Sequence, residues 1–79
     1  MKSPSVSEAA RSLRDALATE AAARETMARE GAELARAADQ GGDPGLAATL
    51  RFFTRHTRVR ALELSGTEAA LGEVLAARE

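Results

Sequence analysis

The apolar residues between positions 6 and 38 recur at alternating steps of four and three, the spacing of a helix with one apolar side. The positions that follow this spacing are Val6, Ala10, Leu13, Leu17, Met27, Gly31, Leu34 and Ala38. Ser5 and Glu8 stand at the distance of a capping box, in which each satisfies a free backbone N–H at a helix start. We therefore predict a first helix from about residue 5 to about residue 38, packed at a shallow angle on a second one.

Two polar residues, Glu20 and Arg24, interrupt the middle of this pattern. Either the contact line shifts onto Ala21 and Ala28 and leaves the pair at its edge, or the pair forms a polar layer that fixes register. We favour the shift, because a helix of 3.6 residues per turn drifts away from a strict seven-residue repeat.

A turn is predicted where glycines 41, 42 and 45 surround Asp43 and Pro44. Glycine tolerates the left-handed backbone that ends a helix, while Asp43 and Pro44 suit the cap and first position of the next one. The second helix is expected over residues 44–64, antiparallel to the first. Gly66 favours a break or bend, with residues 67–78 as a short third helix, and the alternative is that the second helix passes straight through the glycine. The whole chain, 1–79, is then one all-α domain built on a helical hairpin.

The second helix is apolar over a wider arc than packing against one neighbour requires. Phe52 and Phe53 are adjacent, so their side chains point about 100° apart and one interface does not bury both. The second ring is left for a partner, for a second copy of the chain, or for the third helix folding back. The residues expected to hold the hairpin are Leu13, Leu17, Met27 and Leu34, and those expected to bind a partner are Leu46, Leu50, Phe52, Phe53 and Val59.

The composition also indicates that the protein needs a partner to be stable. Of the residues that make up the 44% hydrophobic fraction, nineteen are alanine and only sixteen carry larger apolar side chains. Chains this short rarely bury enough surface to be stable alone, and the absence of cysteine removes disulfides. We expect a marginal fold that gains stability in an assembly. With no apolar run long enough for a signal peptide or a membrane helix, a cytoplasmic location without membrane contact is expected.

Nothing in the sequence predicts catalysis. The chain has no cysteine, tyrosine or tryptophan, and its one histidine, His56, has no acidic residue at helical spacing. General acid–base chemistry needs such positioned titratable groups. We expect no enzyme activity, no metal site and no cofactor.

Four arginines form the one concentration of charge: Arg51, Arg55, Arg58 and Arg60. They predict either an anion or nucleic-acid contact, or a solvated face whose arginine stems cover apolar surface. We regard nucleic-acid binding as the weaker interpretation, because four arginines neutralise few phosphates and residues 61–79 carry four glutamates against one arginine.

Three short segments, together with a long helix before the turn, resemble the small co-chaperones of type III secretion needle subunits (the YscE, PscE and SsaE type). The segments are Leu34-Ala35-Arg36, Gly41-Gly42-Asp43-Pro44 and Arg60-Ala61-Leu62-Glu63. The resemblance implies a hairpin that docks on a larger helical-repeat chaperone and helps to keep an aggregation-prone needle subunit in the cytosol. It implies no catalytic residues.

Three functions follow as hypotheses. The first is a non-enzymatic interaction module, most specifically a secretion co-chaperone or adaptor, whose partner is a helical chaperone or secretion subunit. The second is a small nucleic-acid-binding or phage-type regulatory protein that uses the arginines. The third is a structural homo-oligomeric helical bundle.

Overall fold

The computed structural model describes residues 5–78, and these form an antiparallel hairpin of two long helices. Helix α1 spans Val6–Gln40 and helix α2 spans Pro44–Ala77, with no strand among the described residues. The molecule is 58 Å long and has a radius of gyration of 17.8 Å, about half as large again as the ~12 Å of a compact chain of this length. The all-α hairpin predicted from the sequence is confirmed.

Both helix starts carry the caps that the sequence predicts. The Ser5 hydroxyl accepts a hydrogen bond from the Glu8 N–H at 3.1 Å, and an Asp43 carboxylate oxygen accepts from the Leu46 N–H at 3.1 Å. At the turn, Gly42 has a φ of 77°, in the left-handed region that glycine adopts without a Cβ penalty. The turn therefore fixes where α1 ends and how α2 returns along it.

The contact line between the helices, here called the seam, follows a strict seven-residue repeat in both. We assign its positions the coiled-coil letters a and d. In α1 its buried residues are Ala21, Ala28, Gly31, Ala35 and Ala38. In α2 they are Ala47, Thr54, Thr57, Ala61, Leu64 and Leu75. Gly31 lies opposite Thr54, and this contact sets the register of the whole hairpin.

The shift of the seam onto Ala21 and Ala28 is confirmed and leaves Glu20 at its edge, whereas Arg24 is half-buried at position d within it. Three residues predicted to hold the hairpin do not lie in the seam. Leu13, Met27 and Leu34 are 54%, 44% and 57% exposed. All three occupy position g, beside the seam, because the seven-residue repeat runs through the small residues instead. Leu17 is half-buried, as expected of a seam residue.

The break at Gly66 and the third helix are wrong, since α2 continues to Ala77. The Thr67 hydroxyl donates back to the Glu63 carbonyl at 3.1 Å, and Glu68 binds Arg14 of α1 at 2.9 Å, so neither side chain caps a helix that begins after Gly66. Leu64 and Leu75 are buried in the seam on either side of Gly66. Because this packing continues past the glycine, the backbone there stays helical.

The seam is narrow and leaves much of the chain exposed. It is built mainly of alanine, glycine and threonine, and no large side chain is fully buried among the described residues. The protein exposes 5789 Å² of surface, against roughly 4,600 Å² for a compact monomer of 8.3 kDa. Apolar side chains that an ordinary core would take up thus remain on the outside.

Candidate interaction surfaces

The antiparallel seam separates two sides of the hairpin. In such a pair, positions g of both helices border the seam on one side and positions e on the other. The Phe53 ring, at g, would come within 3.0 Å of a Cβ added at Gly31. On the opposite side Arg51 donates to Asp39, both at e. The two sides carry different chemistry.

The apolar flank is the side formed by the g positions. Its large apolar residues are Val6, Leu13, Met27, Leu34, Leu46, Phe53 and Val74, every one of them exposed. Next to them on α1, positions c are mostly exposed alanines: Ala9, Ala16, Ala23 and Ala37. Short side chains at c leave room for another helix to approach the flank closely.

Charge is present only at the centre of the line of g positions, at Glu20 in α1 and Arg60 in α2. Glu20 pairs with Arg24 at 3.2 Å, and Arg60 pairs with Glu63 at 3.6 Å. Both are exposed pairs within one helix, a type worth only a few tenths of a kcal/mol. Either side chain can therefore exchange its partner at little cost.

A second apolar surface, the outer face of α2, points away from the seam and comprises Phe52, His56, Val59 and Leu62. The Phe52 and His56 rings stack with their centroids 5.8 Å apart. Phe52 is 63% exposed, and Val59 and Leu62 are also exposed. An aromatic ring is thus held on the surface beside branched apolar side chains.

The e side contains a shallow groove of about 250 Å³, here called the arginine groove. Arg36 of α1 and Arg51, Arg55 and Arg58 of α2 line it, with Ala32, Ala35 and Thr54 at its base. Arg51 binds Asp39, whereas Arg36, Arg55 and Arg58 have no carboxylate partner within residues 5–78. The groove therefore carries cationic charge that the described residues do not neutralise.

Neither the predicted partner-binding set nor the predicted arginine set lies on a single surface of the structure. Leu46, Phe52, Phe53 and Val59 are exposed, but Leu50 is half-buried in the seam. Arg51, Arg55 and Arg58 share the groove, while Arg60 lies on the apolar flank. Arg36 and Leu62 were not in the predicted sets. Arg36 occupies position b of α1, which lies beside the e side. Heptad positions counted from the observed seam would therefore have placed Arg36 next to the arginines of α2.

Within residues 5–78, no three histidine or carboxylate side chains lie close enough to hold a metal ion together. Neither α1 nor α2 has an apolar stretch of the length that crossing a membrane requires.

Comparisons with models of protein families, with curated proteins and with solved structures find no match to this chain.

Proposed function

We propose that this protein is a non-enzymatic interaction module that docks on another helical protein through the outer face of α2. Its most specific form is a cytoplasmic co-chaperone or adaptor of the type III secretion needle subunit. The partner would then be a larger helical-repeat chaperone, the needle subunit, or both.

The exposure of Phe52 is the observation that carries the proposal. The ring is 63% exposed and stacks on His56 rather than reaching the seam. Val59 lies on the same heptad position one repeat further on, so the two side chains form a stripe on one side of the helix. Aromatic residues that anchor in a partner's pocket supply much of the binding energy of protein interfaces. A helix presenting apolar residues at this spacing fits a groove between helices of a partner.

Co-expression tests the proposal. The tagged protein would be produced together with the needle subunit and the helical-repeat chaperone of the same organism. We expect the three to elute together, and we expect Phe52→Ala to weaken the complex at least tenfold, because the anchoring ring is lost. Arg55→Glu is the matched control on the same helix. Absence of a complex with either protein would contradict the secretion role, and equal binding by Phe52→Ala would contradict the assignment to this face.

The arginine groove supports a second candidate function, contact with a polyanion such as single-stranded nucleic acid. Arg36, Arg55 and Arg58 converge from two helices without carboxylate partners in the described part of the chain. Guanidinium groups bind phosphate through paired N–H donors, so several of them in one groove suit a phosphate backbone.

Salt dependence separates the two functions. Binding of a labelled oligonucleotide in the groove would weaken steeply between about 50 and 200 mM salt, since phosphate contacts release counterions. Arg55→Glu should abolish it and Phe52→Ala should leave it unchanged. Apolar docking on the outer face of α2 would be weakened by Phe52→Ala, unchanged by Arg55→Glu, and nearly independent of salt.

A further inference from the structure

The apolar flank repeats the same pattern from either end. The register set by Gly31 and Thr54 puts Leu34 level with Phe53 near the turn, and Leu13 level with Val74 near the open end. Between these two apolar levels lies a centre that contains Glu20, Met27, Arg60 and Thr67. Successive levels are seven residues, or about 10 Å, apart. Turning the hairpin end for end therefore exchanges one apolar level with the other.

We propose that the apolar flank is the interface of a two-fold homodimer, in which a second copy packs antiparallel on the first to form a four-helix bundle. In this arrangement the Leu34 and Phe53 level of each copy covers the Leu13 and Val74 level of the other. The c-position alanines of α1 allow the helices to approach. The outer face of α2 lies outside this interface and stays available to a different partner.

The size of the flank is sufficient for a stable dimer. Two helices side by side, each about 10 Å in diameter and about 50 Å long, present a face of about 1,000 Å². A stable interface buries about 800 Å² on each partner. The protein exposes 5789 Å² in total, against roughly 4,600 Å² for a compact monomer, as expected of two long helices with nothing packed across them.

Charge decides the orientation. In the antiparallel dimer α1 packs against α1 and α2 against α2, so Glu20 of each copy is level with Arg60 on the diagonally opposite helix of the other copy. Two opposite-charge pairs then form across the centre of the bundle. A parallel dimer would bring Glu20 level with Thr67 and leave the opposite charges about 10 Å apart along the bundle. Polar residues at the centre of an apolar interface fix register and orientation in this way. The pairs Glu20–Arg24 and Arg60–Glu63, at 3.2 and 3.6 Å, are exposed and exchange at little cost.

A charge-reversal cycle measured by sedimentation equilibrium tests the dimer. We expect the wild-type protein to dimerise, and Glu20→Arg or Arg60→Glu alone to raise the dimer Kd at least tenfold, because each places like charges across the interface. The double variant should return to within about threefold of wild type. Within each chain, Glu20→Arg places a positive charge beside Arg24, and Arg60→Glu places a negative charge beside Glu63. Both intrachain contacts become repulsive, so recovery of dimer affinity in the double variant can come only from contacts with the second copy. Glu33→Arg, an exposed reversal on the far side of α1, is the control.

Cysteine pairing tests the antiparallel orientation in a chain that has no natural cysteine. Oxidation of a mixture of Leu13→Cys and Leu34→Cys chains should give mainly the mixed disulfide dimer. A monomeric wild-type protein at all concentrations, failure of the double charge variant to recover, or pairing of Leu34→Cys chains with themselves would each overturn the proposal. These results do not depend on Phe52, so they leave the docking function to its own test.

Discussion

At the scale of single residues, Gly31 shows how closely the two helices approach. A Cβ at this position would lie 2.6 Å from the Thr54 hydroxyl oxygen and 3.0 Å from the Phe53 ring. The Thr54 hydroxyl is itself held by a hydrogen bond to the Leu50 carbonyl at 2.9 Å. Glycine is required here by the neighbouring helix, and not by its backbone conformation.

We predict opposite effects of the same substitution at two helical glycines. Gly31→Ala should lower the free energy of unfolding by about 1–2 kcal/mol, since Thr54 and Phe53 must move to admit the methyl group. Gly66→Ala, where nothing lies within 4 Å, should raise it by about 0.5–1 kcal/mol through better helix propensity. Urea unfolding followed by circular dichroism measures both, and stabilisation by Gly31→Ala would contradict the close approach.

A second pair of substitutions compares two leucines of α2. Leu64 is 7% exposed and Leu62 is 69% exposed. Leu64→Ala should cost about 2–4 kcal/mol because it removes one of the few large buried side chains, whereas Leu62→Ala should change stability by less than about 0.5 kcal/mol. Thermal melts of the two variants make the comparison, and equal losses would mean that the seam does not run where the structure places it.

At the scale of elements, each helix depends on its first turn and on the seam. The Asp43 side chain accepts from the Leu46 N–H, while Pro44 has no N–H to satisfy. The cap and the left-handed Gly42 together decide where α2 begins.

We predict that Asp43→Ala lowers the free energy of unfolding by about 1 kcal/mol, because the Leu46 N–H loses its acceptor. Asp43→Asn keeps a side-chain oxygen in place and should cost no more than a few tenths of a kcal/mol. Denaturant titration of the two variants distinguishes them. An equal loss in both would assign the effect to the charge at the helix start instead of the hydrogen bond.

At the scale of the whole molecule, the hairpin is long, thin and poor in buried large side chains. Its 58 Å length and 17.8 Å radius of gyration follow from two helices of 35 and 34 residues with nothing packed across them. Most stabilisation of such a fold comes from burying apolar surface, and a single seam of small residues buries little of it.

We therefore predict that the melting temperature of the wild-type protein rises with concentration, as expected when folding is coupled to self-association. Leu34→Glu places a charge on the apolar flank, so its melting temperature should be low and independent of concentration. Small-angle scattering of that variant should give a radius of gyration near the 17.8 Å of the hairpin, and not the ~12 Å of a compact chain. Concentration-independent melting of the wild type would contradict the dimer.

The sequence by itself determined where the two helices begin and where the chain turns, because helix propensity, the caps at Ser5 and Asp43 and the glycine turn act over a few residues. It placed only the middle of the seam, at Ala21 and Ala28, since elsewhere large apolar residues such as Leu13 and Leu34 fit the helical period as well as the small residues beside them do. Tertiary structure chose the small residues, which let the backbones approach with Gly31 against Thr54. Packing along α2 also overrode the local signal at Gly66, because Leu64 and Leu75 continue the contact across it. By setting which residues share a side, the same packing left the large apolar side chains on the flank and gathered arginines from both helices into one groove.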